Sequence, residues 1–392
     1  MTAPFVHRTL TSRVVFGPGC IATLGAELTR LNVQRPLVLS GPRTGSSRLH
    51  GAVRSAMQAL PALWFSEVPA HSSVEVVAHL VDLARREGVD GFIAVGGGSA
   101  SDTAKATALW LAEGGSLEDH ASRFTPPDTL FIPELRQPKL PIVAVPGTAS
   151  AAEVTPSLGV RTAQGSKLLF TDPQLAARLI LIDPQANLCV PAALMLATGM
   201  NGLAHCLEGL YSKVRSPVST ALALHGTRLF FSALPAVAAA PGDMAARGDL
   251  LTAAHLSGQV LLNARTGLHH AICHALGAGT GVSHGDANAV LLPDAIAFNA
   301  SAAQAELAAA AQAIGLPPRI DMNADMNAEA LVDALRALRL ALGVPTRLRD
   351  LGVQRSQLGP VAAHVMHERG LHFNPRPVAH ASDVEQLLER VW

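Results

Sequence analysis

The residues in this sequence that could do chemistry together are histidines at helical spacing. The 392-residue chain has 16 histidines; His270 and His274 lie four positions apart, and His284 follows ten residues later. Asn201 and His205 show the same four-residue spacing earlier in the chain. Side chains four apart share one helix face, and imidazoles brought together bind a divalent metal or relay protons. A functional cluster is therefore favoured over simple packing in apolar helices.

Two further side chains lie beside these histidines. His269 and Cys273 fall off the helix face that His270 and His274 share. We interpret them as packing residues, or as support for the neighbouring rings. The four cysteines contain no CxxC pair, so they indicate neither a zinc ribbon nor a disulfide framework.

A glycine-rich turn offers a second kind of chemistry. It contains three consecutive glycines, Gly96, Gly97 and Gly98. They lie between a strand-like and a helix-like run, where glycine lets the backbone approach a bound group and a helix N-terminus attracts a pyrophosphate. Ser99 and Asp102 have the spacing of a capping box, so a plain strand–turn–helix corner is the alternative. Three glycines favour the phosphate, although the spacing is not G-x-G-x-x-G.

The end of the first strand-like run bears on the choice of cofactor. Enzymes that prefer NAD usually place a carboxylate near the adenosine ribose, but here Gly41, Pro42 and Arg43 follow the run. This leaves room for the 2′-phosphate of NADP, with which Arg43 would pair. A solvated loop position for Arg43 is the alternative, so NADH and NADPH both stay open.

Alternating strands and helices must position these residues. Apolar runs that predict buried strands cover residues 36–40, 91–95, 140–145 and 179–182. A helix is predicted at 74–87, and such alternation indicates a parallel sheet covered on both faces. Later segments predict helices at residues 191–212, 219–237, 244–263, 302–314, 328–341 and 356–368. We therefore expect an α/β dinucleotide-binding domain over residues 1–187 and an all-α domain over residues 188–392.

The composition excludes several classes of protein. Lys+Arg 30 balance Asp+Glu 30, which argues against a nucleic-acid binder. Only four of the basic residues are lysines, and two of these, Lys105 and Lys167, fall in segments near the predicted cofactor site. The N-terminus has no apolar signal segment, and no uninterrupted apolar run approaches a membrane span. A cytoplasmic enzyme is the expectation.

Together these motifs resemble the iron-containing (group III) alcohol dehydrogenases. Three segments carry the resemblance: Gly96–Lys105, Asn201–His205 and His270–His284. It extends from Val15–Gly19 to the C-terminus and covers nearly the whole chain. It implies the dehydroquinate synthase-like fold, with an N-terminal dinucleotide-binding domain and a helical C-terminal domain. It also implies NAD(P)-dependent alcohol or carbonyl chemistry in the cleft between the domains.

The resemblance also implies a metal site with one departure. The three histidine ligands of the metal-dependent members correspond to His205, His270 and His284. Their aspartate ligand corresponds to Asn201, and a neutral amide is a poor ligand for a divalent cation. We therefore expect that Fe²⁺ or Zn²⁺ is not required.

Asn201 instead matches the maleylacetate reductase branch of the family. Thr266–His274 and Asn374–Val378 resemble the TGLHHxxCH and NPRPV segments of that branch, whereas Asp102 and Ser283–Asn288 resemble the metal-dependent members. Gly147 replaces a threonine expected in both. The branch reduces the carbon–carbon double bond of maleylacetate to 3-oxoadipate with NADH or NADPH. A homodimer and a small carboxylate substrate, without nucleic acid or membrane, are expected.

The resemblance assigns expected roles to single residues. Thr148 and Lys167 should lie beside the cofactor. The side chains expected around the substrate enolate, as hydrogen-bond donors or as the proton source, are Asn201, His205, His269, His270, His274 and His284. Arg265 or Arg376 should pair with a substrate carboxylate.

Two alternatives stay open at this point. In the first, the three histidines and Asn201 or a water hold Fe²⁺ or Zn²⁺, which polarises an aldehyde during alcohol–aldehyde interconversion. In the second, the chain is a non-catalytic NAD(P)-binding paralogue, with Asn201 and Gly147 as signs of lost activity.

Overall fold

The computed structural model describes residues 4–58, 60–126, 128–317 and 324–392. The chain forms two compact units. One comprises the described residues of Thr9–Arg123 and Leu130–Val190, and the other those of Pro191–Trp392 together with residues 4–8 and 124–129. The main division thus falls close to the predicted residue 187, but the first described residues and those of Phe124–Thr129 group with the helical unit.

Ten strands are present in the described residues. They are β1 (Arg13–Phe16), β2 (Pro36–Leu39), β3 (Leu63–Phe65), β4 (Gly91–Gly96), β5 (Arg123–Thr125), β6 (Thr129–Phe131), β7 (Ile142–Pro146), β8 (Ser157–Arg161), β9 (Lys167–Thr171) and β10 (Leu179–Ile182). Six form a parallel sheet in the order β1-β10-β7-β4-β2-β3. The predicted α/β fold with a parallel sheet is confirmed.

The centre of this sheet consists of the strands that the apolar runs predict. Leu37 pairs with Phe92, and Ile93 pairs with Val143. These residues are buried because helices cover both faces of a parallel sheet. The edge strands β1 and β3 were not predicted because their residues are half-exposed or exposed. The hairpins β5–β6 and β8–β9 were also not predicted; the second pairs antiparallel over Ser157–Arg161 and Lys167–Thr171.

Sixteen α-helices surround or follow the sheet in the described residues. They are α1 (Leu24–Arg30), α2 (Pro42–Gly45), α3 (Arg48–Ala56), α4 (Val74–Glu87), α5 (Gly98–Glu113), α6 (Pro184–Asn187), α7 (Ala192–Tyr211), α8 (Pro217–Ala239), α9 (Met244–Ala264), α10 (Leu268–Thr280), α11 (His284–Asn299), α12 (Gln304–Ala313), α13 (Ala324–Ala341), α14 (Leu358–Val365), α15 (Gly370–Phe373) and α16 (Ala381–Val391). Helices α4 and α5 pack together beside β4.

The helical unit has two packed groups. Helices α7, α8 and α9 pack on one another, and α10 packs on α11 and α14. Ile272, Leu276, Leu291 and Leu388 are among the residues of a core that α10, α11, α14 and α16 share. This core fixes the backbone of the helices that carry the predicted histidines.

One helix of the described chain, α8, is long and apolar enough to span a membrane by length and composition. Polar residues interrupt its apolar pattern, so the sequence pattern alone does not predict a membrane span there. Phe230 and Leu234 of α8 are buried, and the helix packs against α7 and α9. Core helices of globular proteins pass the same test, so this is weak evidence for a membrane segment.

Candidate active site

Four histidine rings converge within the helical unit. The ring of His205 on α7 stacks on that of His270 on α10, with centroids 4.7 Å apart and 22° between the planes. His284 is the first residue of α11. The centroid of its ring lies 5.7 Å from that of His270 and 5.6 Å from that of His274. The structure thus brings together side chains that the spacing pattern assigned to separate helices.

A buried carboxylate that the sequence analysis did not select holds the start of α10. Glu208 on α7 is fully buried, and its Oε1 accepts hydrogen bonds from the backbone N–H groups of Gly267 (2.8 Å) and His269 (3.1 Å). Its Oε2 is in short hydrogen-bond contact with Nδ1 of His270. The available signal was a lone acid in an apolar helix, three residues after His205.

The charges of this cluster are coupled. Burial would raise the pKa of Glu208, but His270 and His269 hold it well below its usual range. Burial lowers the pKa of His270 to about 4, although Glu208 opposes this. Burial also lowers the pKa of His269, but Cys273 and Glu208 raise it to about 10. The two rings therefore share one imidazolium opposite one carboxylate at neutral pH.

His269 and Cys273 lie behind the converging rings. His269 is fully buried, and its Nε2 lies 3.2 Å from the backbone carbonyl oxygen of Asn288 on α11. The Sγ of Cys273, also fully buried, lies 3.8 Å from the same nitrogen. These two side chains connect α10 to α11 and support the ring of His270.

His270 and His205 differ in how their nitrogens are used. The Nε2 of His270 lies 3.0 Å from Oδ1 of Asn201, so both of its ring nitrogens have protein partners. The Nδ1 of His205 is buried without a hydrogen-bond partner among the described residues. Burial, and then the charge of His270, lower the pKa of His205 well below its usual value. His205 is therefore a neutral, buried ring with one nitrogen that has no partner among the described residues.

His274 is the exposed member of the cluster. Its side chain is 41% exposed, and its Nδ1 lies 3.4 Å from Oε2 of Glu368. Its ring stacks on that of His284 with 18° between the planes. This position allows His274 to exchange protons with water while it remains in contact with the buried rings.

Arg265 has a strained backbone beside the histidine helix. It follows α9 with φ 65 and ψ −178, a conformation that is essentially confined to glycine and costs about 1–3 kcal/mol for other residues. The side chain is half-buried. Burial, together with the charges of Arg369 and Arg8, lowers the pKa of Arg265 to about 10. Strain of this kind clusters at functional sites.

The expectation that Arg376 pairs with a substrate carboxylate is wrong in this structure. Its guanidinium donates to the backbone carbonyl oxygen of Phe298 at 2.9 Å and lies 4.1 Å from the centroid of the Phe298 ring. The carbonyl bond and the stacking on the ring fix Arg376 to the end of α11, away from the histidine rings at its start.

The predicted cofactor residues lie at the carboxyl edge of the sheet in the other unit. Gly41, Gly96 and Gly147 follow or end the neighbouring strands β2, β4 and β7. Gly96 has φ +124, and a Cβ on Gly97 would lie 3.2 Å from Cγ2 of Thr148. The N-cap of α5 is Gly97, which makes no side-chain hydrogen bond to the helix. The first N–H groups of α5 are thus available for a phosphate.

Gly147 is required by close packing, which gives its departure from the expected threonine a physical reason. Its N–H donates to the carbonyl oxygen of Gly96 at 2.7 Å. A Cβ at Gly147 would lie 3.2 Å from Cα of Gly96 and 3.2 Å from Cδ2 of Leu49. A glycine therefore fits this tight junction of two loops better than a larger residue would.

The capping box that the spacing of Ser99 and Asp102 offered as the alternative does not form. The helix begins one residue before Ser99, whose hydroxyl donates instead to the carbonyl oxygen of Ala70 at 2.5 Å. Asp102 accepts a hydrogen bond from the backbone N–H of Gly159 on β8 at 3.3 Å. Both side chains thus tie the glycine turn to adjacent loops.

The two lysines near this turn have different positions. Lys105 is fully buried, and its Nζ donates to the carbonyl oxygens of Ala152 (2.6 Å), Thr155 (2.7 Å) and Ser157 (3.1 Å). It is therefore a structural residue, which corrects its association with the cofactor. Lys167 is exposed on β9.

Lys167 and Arg43 keep surface positions. Burial raises the pKa of Asp102, and the charges of Lys105 and Lys167 oppose this; Lys167 therefore lies close to the start of α5. Arg43 is exposed in α2, the short helix that begins directly after Gly41. The predicted set is thus brought to one edge of the sheet, with Arg43 and Lys167 at its surface.

Family models match both halves of the chain. The iron-containing alcohol dehydrogenase model matches residues 11–184, and the model for the C-terminal part of the Fe-containing alcohol dehydrogenase family matches residues 195–392.

The chain belongs to the iron-containing alcohol dehydrogenase family.

Within this family the chain lies in the maleylacetate reductase branch and is an NAD(P)-dependent oxidoreductase. It is 31% identical to a maleylacetate reductase of Pseudomonas sp. (strain P51), over 99% of this chain and 97% of that protein. The crystal structure of the Agrobacterium tumefaciens maleylacetate reductase matches with a TM-score of 0.82 and 30% identity, covering 100% of this chain and 98% of that one. The crystal structure of a 1,3-propanediol oxidoreductase matches with a TM-score of 0.90 and 27% identity, and the match covers 100% of both chains.

The family name implies iron, but the residues here do not fit a divalent cation. The family's aspartate is the neutral Asn201, and His270 uses both nitrogens for Glu208 and Asn201. In the described part of the chain, the three ligand-type side chains whose ligand atoms lie within 4.8 Å of one another are Glu208, His269 and His270. Glu208 already accepts two backbone hydrogen bonds there, so this group is a hydrogen-bonded cluster.

Proposed function

We propose that this protein is a maleylacetate reductase that uses NADH or NADPH and requires no metal ion. Its product would be 3-oxoadipate, and a closely related unsaturated oxo acid would also be accepted. The observation that carries the proposal is the pairing of Asn201 with His270 at 3.0 Å, where the metal-dependent members have an aspartate ligand. The identity to maleylacetate reductases over nearly the full length supports it.

The reaction requires donors at one oxygen and a proton at one carbon. When bound, the reduced nicotinamide would supply a hydride to the β-carbon of the enone. The electron pair of the C=C bond would then form a double bond between the α-carbon and the carbonyl carbon, and the C=O pair would move onto the oxygen to give an enolate. Fixed donors near that oxygen stabilise it. The ring of His205 stacks on that of His270 and would lie beside that oxygen, and the imidazolium shared by His269 and His270 would add positive charge.

His274 is the proton source in this proposal. Collapse of the enolate restores the ketone and takes one proton at the α-carbon. His274 is exposed and stacks on His284, so it can give up a proton inside the cluster and recover it from water. Glu368, 3.4 Å away, contacts Nδ1 of the same ring.

The glycine turn would hold the cofactor. The N–H groups at the start of α5, from Gly98 and Ser99, suit the pyrophosphate because the N-terminus of α5 has no side-chain cap. Thr148 lies against Gly97 and could donate its hydroxyl to the same group. Exposed Lys167 and Arg43 would contribute positive charge, with Arg43 the candidate for a 2′-phosphate.

The test is a continuous assay of NADH and NADPH oxidation. Purified protein is given maleylacetate or a panel of short aldehydes, each with and without a chelator. The proposal predicts oxidation with maleylacetate that the chelator does not change. Oxidation confined to aldehydes and blocked by chelator would establish metal-dependent alcohol chemistry instead. Cofactor binding without turnover on either substrate would indicate a non-catalytic paralogue.

A second test addresses the metal directly. Asn201→Asp supplies the anionic ligand that the family's metal site uses. We expect the wild type to bind no Fe²⁺ or Zn²⁺ in equilibrium dialysis and the variant to gain affinity. Stoichiometric metal in wild-type protein purified without added metal would contradict this part of the proposal.

We also propose a homodimer and a cytoplasmic location. The exposed edge strand β1 supports the first, because Val14 and Phe16 are 41% and 52% exposed and an unpaired apolar edge favours association. Use of NAD(P)H supports the second. Sedimentation velocity tests the dimer.

A further inference from the structure

A short segment after α14 packs against the start of the histidine helix. A Cβ on Gly370 would lie 2.6 Å from the carbonyl oxygen of Gly267 and 3.4 Å from Cβ of Ala271. On the other side of Arg369, Glu368 contacts His274 at 3.4 Å. Arg369 therefore lies between two residues that both contact the N-terminal part of α10. Its guanidinium lies 5.1 Å from the centroid of the Phe373 ring.

Arg265 approaches the same place from α9. It lies two residues before Gly267, whose N–H is held by Glu208. The charges of Arg369 and Arg8 both act on its guanidinium. Arg8 is held nearby, because its backbone N–H and carbonyl oxygen both bond to the side chain of Asn263 near the end of α9.

These three arginines have no acidic partner in the described part of the chain. No carboxylate oxygen there lies within 4.0 Å of their guanidinium nitrogens. Like charges held together without a counter-ion repel one another. The backbone of Arg265 is held in a glycine-type conformation at this point. Both features are expected where an anion binds and offsets the repulsion.

We propose that Arg265 and Arg369, with Arg8 at the rim, form a subsite for a terminal carboxylate of a dicarboxylate ligand. A guanidinium binds a carboxylate through two parallel hydrogen bonds. Because the subsite borders the helix of His270 and His274, it holds one end of the substrate while the histidines act on the ketone. The inference rests on the proposed function only for the identity of the substrate.

The subsite is tested by binding, without catalysis. Adipate and its neutral diamide, adipamide, have the same length and differ in the charge of their ends, and their affinities are measured by titration calorimetry. We expect wild type to bind adipate at least tenfold more tightly than adipamide. Arg369→Gln and Arg265→Gly should each lose about 10- to 100-fold in adipate affinity and little in adipamide affinity. Arg369→Lys should be intermediate, because it keeps the charge but loses the bidentate geometry.

Arg376→Gln is the matched control. Arg376 belongs to the same C-terminal region and also stacks on a phenylalanine, but it lies outside the subsite and should leave adipate affinity unchanged. Thermal unfolding of each variant establishes that it is folded. Equal affinities of wild type for adipate and adipamide, or unchanged adipate affinity in both subsite variants, would overturn the proposal.

The result is distinguishable from failure of the proposed function. Selective adipate binding that Arg369→Gln abolishes supports the subsite even if maleylacetate is not reduced. Rapid reduction of maleylacetate with an unchanged KM in Arg369→Gln and Arg265→Gly overturns the subsite and leaves the reductase proposal intact.

Discussion

Replacing Glu208 by glutamine tests whether this buried carboxylate sets the state of the histidine cluster. Gln keeps an oxygen that can accept from the backbone N–H groups of Gly267 and His269. Its NH₂ group then faces Nδ1 of His270, which must become an acceptor. The proton of that ring moves to Nε2, and the cluster loses the counter-charge of its shared imidazolium.

The size of the effect follows from the bonds that change. A hydrogen bond to a charged group contributes about 1.5–3 kcal/mol, and about 1.4 kcal/mol corresponds to a tenfold change in rate. We therefore expect kcat to fall roughly 10- to 100-fold while KM changes little. The variant should still fold, with a free energy of unfolding that is lower by about 1–3 kcal/mol. Glu208→Ala, in contrast, would strand three buried donors and endanger a stability of about 5–15 kcal/mol.

Steady-state kinetics, urea unfolding and ¹⁵N NMR of the histidine rings make up the assay. The NMR spectrum should show His270 changing tautomer in Glu208→Gln. Glu27→Gln is the matched control, because Glu27 is also a buried glutamate with partners, Arg13 and Arg30; its kcat should stay at the wild-type value. A folded Glu208→Gln protein with wild-type kcat and an unchanged His270 tautomer would refute the reasoning.

Three further predictions concern strain, buried charge and pH. Arg265→Gly should raise the free energy of unfolding by about 0.5–2 kcal/mol, since relief of about 1–3 kcal/mol of strain exceeds the entropic cost of glycine of about 0.5–1 kcal/mol; a loss in urea unfolding would contradict the strain. Lys105→Met should lower the free energy of unfolding, measured in urea, by about 3 kcal/mol or more, because three buried carbonyl groups lose their donor. An unchanged free energy of unfolding would show that Lys105 is not structural. Between pH 4 and 10 the folded pair of His269 (pKa about 10) and His270 (pKa about 4) binds one proton. In the unfolded chain the same two histidines bind two protons below about pH 6.5 and none above it. The contribution of the pair to the free energy of unfolding therefore peaks near pH 6.5 and declines on either side by about 1.4 kcal/mol per pH unit. His269→Gln should remove the alkaline decline, and an unchanged alkaline limb in that variant would contradict the assignment.

The sequence predicts those parts of the molecule that depend on local patterns. Buried strands such as Gly91–Gly96 have a continuous apolar run, and four-residue spacing correctly assigned His270 and His274 to one helix. The glycine turn was visible because three glycines interrupt a strand–helix junction. The edge strand β1 was missed because only one of its faces is covered.

The remaining features depend on contacts between distant segments. Glu208 contacts His270, 62 residues later in the chain, and its neighbours in sequence give no indication of that partner. Arg369 reaches the start of α10 only because Gly370 packs on Gly267. Lys105 was associated with the cofactor because it follows the glycine turn, but its side chain turns into the interior. In each case tertiary packing determines the role.

The most direct test of the central claim is where the hydride goes. Metal-free protein in the presence of chelator is given maleylacetate and nicotinamide cofactor deuterated at the transferred position, and the product is examined by NMR and mass spectrometry. We predict 3-oxoadipate with one deuterium on C5, the carbon next to the carboxylate that is farther from the ketone. It should form at the rate seen without chelator. Deuterium on a carbinol carbon, or no product until metal is restored, would contradict it.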